Sequence, residues 1–184
     1  MKRRIVLKAM VAGSVLGIGN TVADETLPLT QRDAEGPFYP VEDIPVTESL
    51  FISPDALGDP LNFTGVISDR DGHRLQNIRI EIWQCDANRS YNHPADNGKR
   101  DAAFRGYAAQ YSDTGGRFAF RTIVPVAYAG RPPHIHVKLW RDTQELLTTQ
   151  VYLEGHRGSQ SRKIDPAAVT GGGGEFEAEF RFVV

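Results

Sequence analysis

The sequence predicts an all-β fold, an antiparallel β-sandwich with long loops and an extended N-terminal arm. From residue 61 onward, apolar residues alternate with polar ones, which is typical of strands that bury one face. Short runs rich in Gly and Asp separate the alternating segments and predict turns. Beyond the first 23 residues, no segment shows the spacing of an amphipathic helix.

The alternating segments are the predicted strands. The clearest apolar positions, in chain order, are Ile78, Ile80 and Ile82; Phe118 and Phe120; and Phe176, Ala178, Phe180 and Phe182. Turns are predicted at 69–72, 113–116 and 171–174. About seven short strands at this spacing favour a sandwich. The segments 92–103 and 154–174 lack periodicity and are predicted to be long loops, where functional residues are often found.

The first 60 residues divide into a leader and an arm. Four basic residues occur within the first eight positions, and an apolar run follows at 9–19. This run is shorter than the about 20 residues that a membrane span needs, so residues 1–23 are predicted to be a cleaved signal peptide. Arg3 and Arg4 make the leader twin-arginine-like and predict an exported, periplasmic or secreted protein. Residues 24–60 contain six prolines and predict an extended arm.

Composition restricts the class of protein. The length of 184 residues suits one domain, predicted at 61–184. The near balance of 21 basic and 23 acidic side chains argues against a nucleic-acid-binding protein. The single cysteine, Cys85, excludes an intrachain disulfide and a thiolate metal cluster. After signal cleavage we expect no stable membrane association, and the sequence is compatible with a homo-oligomer.

The most informative motif is the pair His134 and His136. Side chains repeat every second residue along a strand, so both imidazoles face the same side, with Cα atoms about 7 Å apart. The intervening and following positions, Ile135, Val137 and Leu139, form an apolar stripe on the opposite side. Because histidine is the commonest metal ligand, the pair favours a metal site over two partly exposed strand histidines.

Two tyrosines in predicted loops, Tyr91 and Tyr128, are the remaining candidate ligands. A phenol has a pKa near about 10, so it binds as phenolate at neutral pH only to a strong Lewis acid. Ferric iron is such a cation and prefers anionic oxygen, whereas Zn(II) and Cu(II) suit phenolate less well. Most tyrosines are structural, so a purely structural role for both stays open at this point.

Several motifs then occur in a fixed order along residues 33–153. They are DAEGPFY at 33–39, GVISDRDG at 65–72, EIWQCDA at 81–87, YNH at 91–93, FRG at 104–106, SDTGGRFAF at 112–120, TIVP at 122–125 and RPPHIH at 131–136, with Gln150 beyond them. This ordered set resembles the intradiol ring-cleavage dioxygenases, the family of catechol and protocatechuate 3,4-dioxygenases. Residues 61–184 would then be a catalytic β-sandwich domain with long active-site loops.

The resemblance implies a role for each matching residue. Non-haem Fe(III) would be bound by Tyr91, Tyr128, His134 and His136. Substrate would be bound by Arg131 and Gln150, with Gly36 and Pro37 as a pocket wall from the arm. Catalytic roles would fall to Arg131, which stabilises negative charge on the ring, to Tyr128, which accepts a proton, and to Gln150, which orients the substrate.

The implied reaction uses O2 to cleave a catechol between its two hydroxylated carbons, which gives a cis,cis-muconate-type product. The segment from Tyr128 to Arg131 is shorter than the corresponding loop of protocatechuate enzymes, and the N-terminal helical dimerisation region of catechol dioxygenases is missing. Substrate specificity and oligomeric state therefore do not follow from the resemblance. The alternatives are a non-catalytic β-sandwich carrier module for a small aromatic or carbohydrate, and a zinc hydrolase, for which no carboxylate has suitable spacing.

Overall fold

The computed structural model describes residues 26–153, 169–171 and 175–184. Eight β-strands occur in these residues: β1 Pro60–Ser68, β2 Arg79–Trp83, β3 Tyr107–Tyr111, β4 Arg117–Ile123, β5 His134–Arg141, β6 Gln144–Tyr152, β7 Val169–Gly171 and β8 Phe176–Val183. No α-helix occurs in the described parts of the chain, and hence none that could cross a bilayer. The predicted leader and most of the loop predicted at 154–174 lie outside the described residues.

The strands form two four-stranded sheets, and this confirms the predicted sandwich. One sheet has the order β4-β1-β8-β7 and the other has the order β3-β2-β5-β6. The second sheet is antiparallel throughout, and so is most of the first. The exception is the pair β1 and β8, which is parallel. Alternation predicts which face of a strand is buried but carries no information on the direction of its partner, so this pairing departs from the antiparallel prediction.

The apolar faces of the two sheets meet in one core. The alternating residues identified from the sequence all point there, with Ile80, Ile82 and Phe120 each 2% exposed or less. At the contact between β1 and β8, Gly65 meets a steric limit: an added Cβ would lie 1.9 Å from the Phe180 carbonyl oxygen. Only glycine lets the two strands pair at this position.

The segment before β1 runs along the edge strands β3 and β4 and across the outer face of the β3-β2-β5-β6 sheet, without forming a strand of its own. Isolated bridges join Val46 to Ala109, Ser49 to Arg121 and Phe51 to Phe104. Further along, the backbone N–H of Asp33 donates to the Thr148 carbonyl over 3.0 Å, which places the early arm on β6. The outer face of the β3-β2-β5-β6 sheet is thereby covered.

Charged side chains lie in the buried layer between this sheet and the arm. Glu81 on β2 is 5% exposed, and its carboxylate accepts hydrogen bonds from the Arg79 Nε and the Tyr39 hydroxyl, each over 2.7 Å. Lys138 on β5 is also 5% exposed; it pairs with Glu35 of the arm, and its ammonium lies 4.2 Å from the Tyr39 ring centroid. A buried charge needs such partners, so the arm is an integral part of the fold.

Candidate metal centre

The two histidines begin β5 on the covered face of their sheet. Across the strands, His136 pairs with Trp83 of β2 on one side and with Gln150 of β6 on the other. His134 pairs with Tyr152. Both imidazoles are 2% exposed or less, while the alternate residues of β5 lie in the sandwich core, as predicted.

Three potential ligand atoms converge at this point. The Nε2 atoms of His134 and His136 lie 3.1 Å apart. The Tyr91 hydroxyl oxygen lies 3.2 Å from the Nε2 of His136 and 3.5 Å from that of His134. Tyr91 itself is 3% exposed. The sequence separation of more than 40 residues between the phenol and the imidazoles is thus closed by the fold.

A backbone contact fixes the tautomer of His134. Its Nδ1 lies 2.7 Å from the Pro132 carbonyl oxygen, which can only accept a hydrogen bond. The Nδ1 therefore carries the proton, and the lone pair of the ring is on Nε2, toward His136 and Tyr91. This is the usual way in which an outer contact orients a metal-binding imidazole.

The imidazole of His136 is held by stacking. Its ring lies parallel to Trp83, with an interplanar angle of 9° and centroids 4.8 Å apart. Its Nδ1 is buried and has no hydrogen-bond partner among the described residues. Burial, reinforced by His134 and Arg131, lowers the pKa of His136 well below its usual value. The ring is therefore neutral, as metal ligation requires.

Tyr91 lies in the long loop between β2 and β3, and hydrogen bonds within the loop position it. Its backbone N–H donates to the Asp96 carboxylate over 2.8 Å. Its ring stacks on Phe38 of the arm, with centroids 4.7 Å apart. Burial, with smaller contributions from Cys85 and Tyr128, raises the pKa of the Tyr91 phenol. The phenol stays protonated at neutral pH unless a cation displaces the proton.

Tyr128 and Arg131 are the two ends of a tight turn. The Arg131 N–H donates to the Tyr128 carbonyl over 2.7 Å, and the two residues form a bridge. The central residues, Ala129 and Gly130, both have positive φ, 45° and 77°, which is the requirement of a type I′ turn. The Tyr128 ring lies 5.2 Å from that of Tyr91 and 5.8 Å from that of His134, between centroids. Tyr128 is half-buried, so it is more accessible than Tyr91.

The arm closes the other side of the site. Gly36 has φ of 78°, and a Cβ added there would lie 3.3 Å from Cε1 of His136. Pro37 is exposed, and Phe38 follows against Tyr91. Sequence reasoning missed Phe38, although it lies in the motif at 33–39. Nothing in a lone phenylalanine of a proline-rich segment marks it as a ring that stacks on Tyr91.

Arg131 and Gln150 form the polar side of the site. The guanidinium donates to the Gln150 side-chain oxygen over 2.5 Å and to the Tyr152 hydroxyl over 3.3 Å. Burial alone would lower the pKa of Arg131, but hydrogen bonds to Tyr128 and Tyr152 raise it, so the cation persists. Tyr152 was missed at the sequence level. It continues the period of two from Gln150 along β6, and that alternation could have identified it.

The structure thus brings Tyr91, Tyr128, His134, His136, Arg131, Gln150 and Gly36 to one site, with Pro37 at its rim. The donor set fits Fe(III): neutral imidazole nitrogens and a buried phenol that must lose its proton are suited to a hard, highly charged cation. The separations of 3.1–3.5 Å between the three donor atoms suit bonds of about 2 Å to one shared ion.

Other candidate residues have structural roles. Cys85 is 2% exposed and packs with Trp83, and burial raises the pKa of its thiol to about 12. His93 accepts a hydrogen bond from the Ala95 N–H and touches the Phe38 ring. A cluster of Asp69, Asp71 and His73 lies in the turn after β1. There the Asp69 carboxylate accepts the backbone N–H groups of the other two, which accounts for the cluster without a metal.

Comparison with known proteins points to one family. The family model described as "Dioxygenase" matches residues 34–169, more than half of the chain. The chain is 33% identical over 146 residues to the protocatechuate 3,4-dioxygenase beta chain of Burkholderia cepacia, an alignment that covers 70% of this chain and 62% of the relative. It is 32% identical over 149 residues to the catechol 1,2-dioxygenase of Acinetobacter baylyi, which covers 68% and 47%.

A solved structure agrees with the sequence relatives. The dioxygenase domain of a dioxygenase and carbohydrate-binding protein fusion from Streptomyces sp. SirexAA-E superimposes with a TM-score of 0.72 at 30% identity. The match covers 85% of this chain and 98% of that domain. The two curated relatives are longer, and the alignments span 62% and 47% of their length. On the family match, the sequence relatives and the shared fold, the chain belongs to the intradiol ring-cleavage dioxygenases.

Proposed function

We propose that this protein is a non-haem Fe(III) dioxygenase that cleaves a catechol with O2 between its two hydroxylated carbons. The observation that carries the proposal is the convergence of the Tyr91 hydroxyl and two imidazole nitrogens within 3.5 Å of one another in a buried site. Relatives named as catechol and hydroxyquinol 1,2-dioxygenases support a catechol-type substrate. The expected product is a cis,cis-muconate-type dicarboxylate.

The two tyrosines would have different roles because their surroundings differ. Tyr91 is buried and fixed by Phe38, which suits a permanent ligand. Tyr128 is half-buried at the end of a turn and lies beside Arg131, which suits a ligand that leaves and takes up a proton from the incoming catechol. The bound ferric ion would supply the Lewis acidity that makes the deprotonated catechol reactive toward dioxygen.

Arg131 and Gln150 would orient the substrate and stabilise charge. The Arg131 cation is always charged and lies beside Tyr128, where negative charge would build up on the ring during oxygen attack. Gln150 is completely buried, and its side-chain N–H donates to the Ala34 carbonyl over 2.6 Å. This contact fixes the amide, so its oxygen holds the Arg131 guanidinium in place.

The test is to load the purified protein with ferric iron and to measure oxygen uptake with catechol, hydroxyquinol and protocatechuate. We expect one dioxygen consumed per catechol ring opened, with the muconate-type product identified by mass spectrometry. The Tyr91→Phe variant removes the proposed phenolate ligand. Tyr107→Phe is its matched control, since it removes a buried phenol hydroxyl of the same sheet layer. Stoichiometric binding of a catechol without oxygen uptake would instead support the carrier module.

We also propose that the protein acts outside the cytoplasm, on the basis of the basic and apolar pattern of residues 1–23. Cell fractionation of the natural host, with detection of the leader-free chain, tests this proposal. Recovery of the full-length chain in the cytoplasmic fraction alone would contradict it.

A further inference from the structure

The arm carries an acidic side chain, Asp33, whose contacts lead to Arg131. The Tyr152 hydroxyl lies 3.2 Å from the Asp33 carboxylate oxygen and 2.7 Å from the Gln150 side-chain oxygen. The same hydroxyl lies 3.3 Å from the Arg131 Nη2. Tyr152 is 0% exposed, so this phenol oxygen is the buried centre of a network that joins the arm, β6 and the turn that ends at Arg131.

The chemistry of the groups decides which of them can donate and which can accept in each contact. Arg131 can only donate, and the Asp33 carboxylate can only accept. The Tyr152 hydroxyl accepts from the guanidinium and has one proton to give, either to Asp33 or to the Gln150 oxygen. Since the Gln150 oxygen already accepts from Arg131, and the Gln150 N–H is used by the Ala34 carbonyl, each group is constrained by the others.

The geometry points to Tyr152 as a positioning residue for Arg131, with Asp33 of the arm as its anchor. The guanidinium comes from the end of a two-residue turn whose tip is open, since a Cβ added at Gly130 would meet nothing within 4 Å. Two buried acceptors on β6, Gln150 and Tyr152, therefore fix its direction. The Tyr152 ring also lies 5.6 Å from that of His134, so the network sits directly beside the metal ligands.

This inference rests on the proposed function, because it assigns to Tyr152 and Asp33 the orientation of a residue that acts on the substrate. The arm thereby becomes part of the catalytic apparatus. The arm backbone docks on β6 through the Asp33 N–H to Thr148 and the Gln31 carbonyl to Thr149. The Asp33 carboxylate also accepts the Ala34 N–H over 2.7 Å, a contact within the arm that does not join it to β6. Asp33→Ala therefore removes the anchor while the arm stays docked.

The experiment compares Tyr152→Phe with Tyr107→Phe in the iron-loaded protein. The Tyr107 hydroxyl also bonds to an arm carboxylate, that of Glu42, over 3.0 Å, and so it is a matched control. We expect Tyr152→Phe to lower kcat/KM about 10- to 100-fold, as misplaced catalytic groups do, with the iron content and visible band retained. Tyr107→Phe should stay within about twofold of the wild type.

A double-mutant cycle tests the link to Asp33. Adding Asp33→Ala to Tyr152→Phe should cause little further loss, because the anchor has nothing left to hold. Fully additive losses, a Tyr152→Phe variant with wild-type kcat/KM, or loss of iron from that variant would each overturn the inference. If the wild type consumes no oxygen with any catechol, the proposed function fails. The role of Tyr152 is then tested by catechol affinity measured without oxygen. Weaker binding by Tyr152→Phe than by the wild type would support the inference, and equal binding would overturn it.

Discussion

The two sheets have opposite kinds of outer face. On the β4-β1-β8-β7 sheet, charged side chains such as Arg117, Glu177 and Glu179 point into solvent, as the alternation of β8 predicts. On the β3-β2-β5-β6 sheet, the arm covers the outer face, and charged and polar side chains such as Glu81 and Lys138 are buried. An alternating sequence therefore specifies which face of a strand is in the core and which is outside. Whether the outer face can form a buried site depends on whether another segment, here the arm, covers it.

The difference has a physical cause. Exposed charges are well solvated and interact weakly, whereas buried polar groups need defined partners and acquire shifted pKa values. The open face shows pairs such as Asn62 with Glu177, at 2.9 Å, on an accessible surface. The covered face holds the lowered pKa of His136 and the raised pKa of Tyr91 within one site. Equivalent changes on the two faces should therefore have unequal effects.

The largest expected effect comes from removing a proposed metal ligand on the covered face. His136→Ala deletes one of the three converging donors, and we expect iron affinity to fall by more than about 100-fold, beyond the effect of losing an outer contact to a ligand. Iron analysis after dialysis against a chelator measures this. His73→Ala, in the exposed turn after β1, is the control and should keep its iron. Equal retention by both variants would mean that His136 is not a ligand.

A smaller loss is expected at Arg131. Arg131→Leu should retain iron but lower kcat/KM about 100-fold, the usual consequence of losing one donor to developing negative charge. Arg121→Leu on the open sheet removes an equally charged but exposed side chain and should leave kcat/KM unchanged. Steady-state oxygen uptake measures both. Loss of iron from Arg131→Leu would show that Arg131 supports the ligands instead.

Alanine substitutions at two glycines with nearly the same φ distinguish backbone strain from steric contact with the site. Gly36 and Gly130 have φ of 78° and 77°, so alanine is strained at both, by about 1 kcal/mol. Only at Gly36 would the new methyl group also press on a proposed ligand, 3.3 Å from Cε1 of His136. We expect Gly36→Ala to shift the visible band of the iron-loaded protein and Gly130→Ala to leave it in place. Identical spectra would contradict the close contact between arm and ligand.

Two Glu→Gln substitutions compare how much a carboxylate contributes to stability on each face. Glu35→Gln removes the charge of the arm carboxylate that pairs with the buried Lys138 and leaves it the more distant Glu145, 3.8 Å away. We expect the free energy of unfolding to fall by about 1–3 kcal/mol. Glu179→Gln on the open face should change it by less than about 0.5 kcal/mol. Urea denaturation measures both, and equal values would show that the arm does not protect the layer beneath it.

The smallest expected effect concerns the reactivity of the Cys85 thiol. Because burial raises the pKa of Cys85 to about 12, the thiol is protonated between pH 7 and that value, and we expect it to resist a maleimide at pH 8. Its reaction should accelerate only as the pH approaches about 12 or when the protein is unfolded in urea. Rapid labelling of the folded protein at pH 8, measured by mass spectrometry, would place Cys85 in an accessible site.

Much of the fold could be predicted from local patterns. Alternation in β5 identified both the core stripe and the shared face of His134 and His136, because the period of a strand fixes both at once. The same rule could not give the parallel pairing of β1 with β8, which depends on how the chain returns after β6. The period of a strand shows which of its side chains face the core, but it does not show which strand it pairs with or in which direction.

The motif residues of the site could be predicted from the sequence, but the residues that hold them in place could not. The ordered motifs identified Tyr91, Tyr128 and the histidines, since a resemblance transfers residues that occupy matching positions. Phe38 stacks on Tyr91, which is more than 50 residues away in the sequence. Tyr152, on β6, bonds to Arg131, which is 21 residues away at the end of a turn. Alternation with Gln150 could have placed Tyr152 on the same face of β6, but no local pattern encodes either contact.

We propose above that Tyr91 and the two histidines bind one ferric ion. Visible absorption of the iron-loaded protein tests it most directly, because phenolate bound to Fe(III) gives a charge-transfer band that imidazole and carboxylate ligands do not. We predict a red-brown protein with one iron per chain, whose band is weakened or lost in Tyr91→Phe and unchanged in Tyr107→Phe. A protein that binds one equivalent of iron without such a band, or whose band survives Tyr91→Phe unaltered, would contradict the account.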